Sequence, residues 1–194
     1  MRRARVGILI SGRGSNMSAL IAAAKASDYP AEIVCVIANR PDAAGVGIAA
    51  AEGISAQVID HKAFGSKADF EAALAAALDA YGVEIIALAG FMRVLSSDFI
   101  ARYPGRILNI HPSLLPDFKG LDTHERALAA GVKEHGCSVH IVNAELDDGP
   151  VLMQAMVPVL EGDTPGKLAA RVLEAEHRIY PAALAEFAAR LLAS

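Results

Sequence analysis

Short apolar runs alternate with alanine-rich segments along most of the chain. The apolar runs are rich in Val and Ile and predict buried strands, whereas the alanine-rich segments have the length and spacing of amphipathic helices. The predicted strands cover residues 6–10, 32–38, 56–59, 84–89, 106–110, 137–142 and 151–158. The predicted helices cover residues 15–26, 43–52, 67–81, 97–103, 122–130 and 164–193.

Glycine and proline mark the limits of several predicted helices. Gly53, Gly82 and Gly131 each follow a helix, which is a common way for a helix to end. Pro165 suits the first position of the last helix. Pro181 lies within that helix and is expected to kink or divide it, because proline removes a backbone N–H and crowds the preceding turn.

Strands that are apolar on both faces and alternate with helices are typical of a parallel sheet covered on both sides. We therefore predict an α/β fold with a doubly wound, mostly parallel sheet and helices on both faces. Ligands of such a sheet bind beyond the carboxyl ends of its strands. The length, with no internal repeat or linker, predicts one domain over residues 1–194.

Composition excludes several classes of protein. Hydrophobic residues make up 54% of the chain and charged residues 21%, which excludes a disordered chain. The net charge of −4 disfavours a nucleic-acid-binding protein, so no nucleic-acid partner is expected. The basic start, residues 1–5, precedes an apolar run that is too short for a signal peptide, and residues 85–92 are too few to span a membrane. Cys35 and Cys137 lie in strand-like runs and predict buried thiols in a reducing cytoplasm.

A glycine-rich loop, Ser11–Asn16, follows the first strand and opens the first helix. Glycines let the backbone approach a ligand, and the N–H groups at a helix N-terminus favour a phosphate. Met17 stands where a dinucleotide-binding fingerprint would have its third glycine, so a phosphate monoester fits better than a nicotinamide dinucleotide. The alternative is a plain strand–helix turn in which Ser15 and Asn16 cap the helix.

The fifth strand ends in an asparagine–histidine pair. Asn109 and His111 are two residues apart, so they share one face of the strand at its carboxyl end. An amide donor beside an imidazole can stabilise an oxyanion or assist proton transfer. A purely structural histidine is the alternative.

An acidic segment, residues 143–150, joins the last two strands and is expected at the same edge of the sheet. One of its carboxylates, Asp147 or Asp148, could orient His111 and favour its charged form. The alternative is an ordinary acidic turn before Gly149.

A zinc site is a further interpretation, with the candidate ligands His135, Cys137, His140, Asp147 and Asp148. These residues lack the paired cysteine spacing of structural zinc sites, and positions 137 and 140 fall on opposite faces of a strand. We therefore expect no metal.

Taken together, the motifs resemble those of the formyltransferases that use formyltetrahydrofolate, and among them the glycinamide ribonucleotide formyltransferases of purine synthesis. The resemblance covers essentially the whole chain. It rests on the Ser-Gly-x-Gly-Ser-Asn loop and on residues 88–95, 109–116, 135–140, 145–150 and 176–181.

The resemblance implies a role for individual residues. Gly14, Ser15 and Asn16 would cradle the phosphate of the ribonucleotide, and Glu176 would contact its ribose. The implied folate-binding residues are Lys67, Met92, Arg93, Val94, Leu95 and Asn109.

Two positions depart from the family pattern, and one bond is implied to be unusual. Lys67 replaces an arginine and so loses a bidentate fork, and Asp122 stands where some members have histidine. The resemblance also implies a cis bond between Leu115 and Pro116.

The implied reaction moves the formyl group of 10-formyltetrahydrofolate to the amine of glycinamide ribonucleotide, with Asn109, His111 and Asp147 as the catalytic residues. The N-terminal half would bind the phosphoribosyl group, and the C-terminal half would carry the folate and catalytic loops. The partners would be these small molecules, in a monomer or weak homodimer.

Several alternatives stay open. Formyltetrahydrofolate hydrolase shares the catalytic pattern but has an additional regulatory domain. Methionyl-tRNA formyltransferase needs a further nucleic-acid-binding domain, which is not expected here. A non-catalytic sensor of phosphoribosyl ligands could use the same cradle.

Overall fold

In a computed structural model, which describes residues 2–194, seven strands form one sheet in the order β3-β2-β1-β4-β5-β6-β7. Met1, the first residue of the basic start and of the expected domain, lies outside the described residues. The strands are β1 (Ala4–Ile10), β2 (Ala31–Ala38), β3 (Ala56–Val58), β4 (Ile85–Leu88), β5 (Ile107–His111), β6 (Glu134–Ile141) and β7 (Val151–Pro158).

Strands β1 to β5 are parallel, as predicted, but β6 and β7 are antiparallel to their neighbours. The predicted mostly parallel α/β class is confirmed, and the last two strands are the antiparallel part of the sheet. A parallel pair needs a crossover of about a dozen residues, usually helical. The segment between β6 and β7 is shorter and contains no helix, so β7 folds back along β6.

Six α-helices cover both faces of the sheet. They are α1 (Ser15–Ala24), α2 (Gly45–Ala51), α3 (Lys67–Ala80), α4 (Ser97–Arg102), α5 (Thr123–Ala129) and α6 (Pro165–Ala193), and a short 3-10 helix spans His61–Ala63. Buried side chains of α1, α2, α5 and α6 pack on one face of the sheet, and those of α3 and α4 pack on the other. Two apolar layers therefore hold the sheet, as expected for strands that are buried on both sides.

The glycines behave as predicted, whereas Pro181 does not divide the last helix. Gly53, Gly82 and Gly131 follow their helices with φ of 76°, 59° and 66°, a region that glycine enters without a steric penalty. Helix α6 runs through Pro181 as one element. The fully buried Tyr180 anchors it at this point, because its hydroxyl lies 3.0 Å from the carbonyl oxygen of Leu88 and 3.2 Å from that of Leu108.

The basic residues at the start of the chain have structural partners. Arg2 pairs with Glu84, and Arg3 donates hydrogen bonds to two backbone carbonyls. Arg5 lies 3.0 Å from Glu32 and also contacts the carbonyl of Tyr81. No helix within residues 2–194 is both long and apolar enough to cross a membrane.

The order of the strands determines where a ligand can bind. The chain passes from β1 to β2 on one side and later places β4 on the other side of β1. This reversal separates the loops that follow β1 and β4 and opens a crevice at their carboxyl ends. The glycine-rich loop lies at this crevice.

Candidate active site

The glycine-rich loop connects β1 to α1 in a conformation that depends on glycine. Gly14 has φ of 76° and precedes α1, and no side chain caps the helix. A Cβ on Gly14 would lie 2.9 Å from Cε of Met17 and 3.1 Å from Cα of Gly45. Because Ser15 and Asn16 do not cap the helix, the capping interpretation is wrong. The uncapped N–H groups of the first turn are suited to an anion.

Helix α6 brings Glu176 to this loop. Nδ2 of Asn16 donates a 2.7 Å hydrogen bond to the Glu176 carboxylate, and both side chains are buried. Burial raises the pKa of Glu176, and the hydrogen bond from Asn16 opposes that rise in part. Oδ1 of Asn16 is buried with no hydrogen-bond partner within residues 2–194. The structure thus joins two residues that sequence analysis had assigned to one ligand.

A cavity of about 320 Å³ opens beside the loop. It is lined by Ser11, Gly12, Arg13, Gly14, Ser15, Asn16, Arg40, Ala89, Gly90 and Met92. Arg40 makes two hydrogen bonds to Asp42, of 3.0 and 2.7 Å, and both side chains are largely exposed. No motif in the sequence indicates a role for Arg40. The one feature of the sequence that could have indicated Arg40 as a ligand-binding residue is its position just beyond the carboxyl end of β2.

The segment after β4 is tied to the glycine-rich loop. The N–H of Ser11 donates to the carbonyl of Gly90 at 3.1 Å, and the N–H of Met92 donates to Oγ of Ser11 at 2.7 Å. Met92 and Val94 are 66% and 64% exposed, whereas Leu95 is buried. The segment therefore exposes two large apolar side chains, and Met92 lines the cavity, while the Met92 amide is already used by Ser11.

Lys67 begins helix α3 and lies near the end of the same segment. Its ammonium group is 3.9 Å from the buried carboxylate of Glu71. Glu71 also accepts a 2.8 Å hydrogen bond from the N–H of Ser96 and a second one from its hydroxyl. Glu71 thus links Lys67 to the residue that follows the segment 92–95.

Asn109 and His111 lie on β5, as predicted, and Asp147 reaches them from the segment before β7. Nδ1 of His111 is 3.4 Å from Oδ2 of Asp147, and both side chains are buried. Nε2 of His111 lies 2.9 Å from the carbonyl oxygen of Phe118. Because a carbonyl only accepts, Nε2 carries a hydrogen, and Nδ1 is the nitrogen that faces Asp147.

Asp147 is held as a carboxylate. Burial raises its pKa, but the N–H of Gly120, the nearby His111 and other polar neighbours outweigh that effect, so its pKa lies below the usual value. Oδ2 accepts a 3.0 Å hydrogen bond from the Gly120 N–H. Asp148, by contrast, is exposed and pairs with Lys119. The two neighbouring aspartates therefore have different environments.

The route by which Asp147 arrives differs from the expected one. Strand β6 runs from beside His111 back to beside Leu108, so the segment after it starts away from the carboxyl end of β5. It reaches His111 because it folds onto the loop after β5, through the contact of Asp147 with Gly120 and the ion pair of Asp148 with Lys119. The bond between Leu115 and Pro116 in that loop is cis.

His140 completes the cluster and was missed as a functional residue. Its Nε2 is 3.1 Å from Nδ2 of Asn109 and 3.6 Å from Oδ1 of Asp147. From the sequence, a zinc ligand was the only individual role that we weighed for it. No group of three or more His, Cys, Asp or Glu side chains within residues 2–194 has the geometry of a metal site.

Comparison with known proteins shows similarity to formyltransferases over nearly the whole chain. The formyl transferase family matches residues 4–184. Phosphoribosylglycinamide formyltransferase of Escherichia coli is 46% identical over 181 residues, which are 93% of this chain and 85% of that one. The trifunctional purine biosynthetic protein adenosine-3 of Gallus gallus is 49% identical over 94% of this chain, which spans only 18% of that longer protein.

Solved structures show the same similarity. The phosphoribosylglycinamide formyltransferase from Brucella melitensis has a TM-score of 0.94 and 60% identity, with 97% of each chain covered. The glycinamide ribonucleotide transformylase 1 from Symbiobacterium toebii has a TM-score of 0.94 and 47% identity, covering 96% of this chain and 88% of that one.

Proposed function

The chain belongs to the formyl transferase family, and from this premise we propose that it transfers the formyl group of 10-formyltetrahydrofolate to the amine of glycinamide ribonucleotide, in purine biosynthesis. The observation that carries the proposal is the buried contact between His111 and Asp147 beside Asn109, at 3.4 Å between Nδ1 and Oδ2. This arrangement supplies a charged imidazole and an amide donor where the strands end.

The ribonucleotide occupies the cavity beside the glycine-rich loop. Its phosphate binds the backbone of Gly14, Ser15 and Asn16 at the N-terminus of α1, where the uncapped N–H groups and the helix dipole favour an anion. The ribose contacts Glu176, which is held at the loop by Asn16. The unpartnered Oδ1 of Asn16 is a further acceptor for a ribose hydroxyl.

The folate binds on the other side of the reacting atoms. The apolar side chains of Met92 and Val94, with Arg93 and Leu95, form the wall for the pterin, and Asn109 faces the formyl group. Lys67, placed by Glu71, supplies a positive charge for a carboxylate of the folate tail. Most of the phosphoribosyl site comes from the N-terminal half and the catalytic residues come from the C-terminal half, whereas Glu176, Lys67 and the folate segment 92–95 cross that division.

The reaction requires direct attack by the uncharged amine. The amine nitrogen forms a bond to the formyl carbon, and the carbonyl electrons move to oxygen, giving a tetrahedral intermediate. Asn109 donates a hydrogen bond to this oxygen and the charged His111 stabilises it, while Asp147 keeps His111 charged and oriented. The bond from carbon to N10 then breaks, N10 takes a proton, and the attacking nitrogen loses one.

The first experiment follows the absorbance of 10-formyltetrahydrofolate, or of a dideaza analogue, with and without glycinamide ribonucleotide. Consumption that depends on the ribonucleotide supports the transferase. Consumption without it would indicate a hydrolase. Binding of the ribonucleotide without any consumption would indicate a sensor and would contradict the proposed catalytic residues.

Arg40 is expected to contribute to phosphate binding. Its exposed pair with Asp42 is weak, so a phosphate dianion can replace Asp42 as its partner. Replacing Arg40 by alanine should raise KM for the ribonucleotide by roughly tenfold, with little change in kcat.

The control for Arg40 is Arg102→Ala, which removes another exposed arginine; Arg102 lies on α4 and is paired with Asp79 of α3. This variant should leave both KM values unchanged. A second control uses the substrate without its phosphate. Arg40→Ala and the unchanged protein should turn over this shortened substrate equally well. Equal KM values for the ribonucleotide itself would contradict the assignment.

We also propose that the partners are these two small molecules, with neither nucleic acid nor membrane involved. In this proposal the protein is a monomer or weak homodimer in the cytoplasm, and residues 1–194 form one domain. The unpaired thiols of Cys35 and Cys137 support a reducing compartment.

A further inference from the structure

His140 faces Asn109 across the antiparallel pair of β5 and β6. The two residues are direct partners in the register, and the His140 side chain is only 2% exposed. Nε2 of His140 is 3.1 Å from Nδ2 of Asn109, whereas its Nδ1 is 3.2 Å from the carbonyl oxygen of Ile141. Both ring nitrogens are therefore engaged.

These contacts determine which nitrogen carries the hydrogen. The carbonyl of Ile141 can only accept, so Nδ1 is the donor. The amide nitrogen of Asn109 can only donate, so Nε2 offers its lone pair. A charged His140 would set two donors against each other at this distance. Oδ1 of Asp147, at 3.6 Å from Nε2, is too distant for a normal hydrogen bond.

We propose that His140 is a positioning residue that orients the carboxamide of Asn109. It accepts one of the two N–H bonds of Nδ2, and the other N–H is then directed to the oxygen on which negative charge develops. Without this acceptor the carboxamide can rotate by half a turn and present its own oxygen, which repels an oxyanion. This role rests on the proposed transferase function and adds a residue to it.

The experiment compares three substitutions at position 140 in the full chain. Leucine removes the acceptor, glutamine keeps an oxygen near the position of Nε2, and asparagine keeps one only near the position of Nδ1. We expect His140→Leu and His140→Asn to lower kcat by about 10- to 100-fold, with both KM values nearly unchanged. His140→Gln should recover most of the loss. Equal losses in the glutamine and leucine variants would overturn the proposal.

A double-mutant cycle tests whether His140 acts through Asn109. In an Asn109→Ala background, His140→Leu should have no further effect on kcat, because there is no carboxamide left to orient. Additive losses in that background, or a loss that disappears only in an Asp147→Asn background, would overturn the proposal in favour of a role through Asp147.

Nitrogen NMR of the unsubstituted protein supplies a readout that needs neither turnover nor a foldable variant. The proposal expects His140 to be neutral with its hydrogen on Nδ1. A hydrogen on Nε2 would overturn it. If the unsubstituted protein consumes no formyl-folate while His140 shows the expected form, the proposed function fails but the orientation of Asn109 stands.

Discussion

Replacing His111 by alanine is expected to lower kcat by about 10²–10⁴-fold, with KM for the ribonucleotide nearly unchanged. His111 supplies the positive charge of the proposed cluster, and its ring is held between Asp147 at Nδ1 and the carbonyl of Phe118 at Nε2. The proposed binding site of the ribonucleotide lies mainly at the loop after β1, so the substitution should remove catalysis and leave binding. Steady-state kinetics with both substrates measures the effect.

The interpretation of this variant depends on its fold, because His111 is buried and contacts the loop that holds Asp147. Thermal unfolding and calorimetric binding of the ribonucleotide are the controls. A folded variant that binds the ribonucleotide and turns over at nearly the normal rate would remove His111 from the mechanism.

Replacing Asp147 by asparagine is expected to reduce kcat to a similar degree, by about 10²–10⁴-fold. The pKa of this carboxyl lies below its usual value, so it is charged at any pH above about 4, and the substitution deletes a charge throughout the working range. Without that charge the imidazolium form of His111 loses its partner at 3.4 Å. Ribonucleotide binding should persist.

Asp148→Asn is the matched control, since it makes the same chemical change one residue away. Asp148 is exposed and pairs with Lys119, so turnover should stay close to that of the unchanged protein. If both variants lose activity equally, the effect belongs to the loop as a whole. If Asp147→Asn also abolishes ribonucleotide binding, Asp147 is structural.

The lowered pKa of Asp147 also determines how the stability of the fold changes with pH. A carboxyl with a lowered pKa in the folded state contributes stability above its unfolded value of about 3.9, and that contribution is lost as pH falls through the folded value. Acid unfolding of Asp147→Asn should therefore depend less on pH below about 4 than that of the unchanged protein.

Most of the secondary structure follows from local patterns. Glycines such as Gly82 end helices wherever a positive φ is needed, and apolar runs become strands because both faces are covered. The direction of each strand was harder to predict, because a strand that is buried on both faces has the same residue pattern in parallel and antiparallel pairing. The shortness of the segment between β6 and β7 was the one local clue. The continuity of α6 through Pro181 depends on tertiary packing around Tyr180, which local patterns do not contain.

The site was predictable to the extent that it lies within single strands and loops. The spacing of Asn109 and His111 places both on one face of β5 without any tertiary information. The contact with His140 depends on the register of β5 against β6, and that of Asp147 depends on how two loops fold onto each other. Local composition could not separate Asp147 from Asp148. That choice came from the resemblance, and their burial now gives a physical reason for it.

The hydrogen bond between Asn16 and Glu176 joins residues that are 160 positions apart. At a synthesis rate of about 5–20 residues per second, the ribosome adds Glu176 on the order of ten seconds after Asn16. Helix α6 also covers one apolar face of the sheet, so this face stays open during the same interval. A nascent chain therefore acquires the complete proposed ribonucleotide pocket and its covered core together, only after α6 has been synthesised. Ligand binding cannot assist folding before that stage, and chaperones that shield apolar surface have their opportunity earlier.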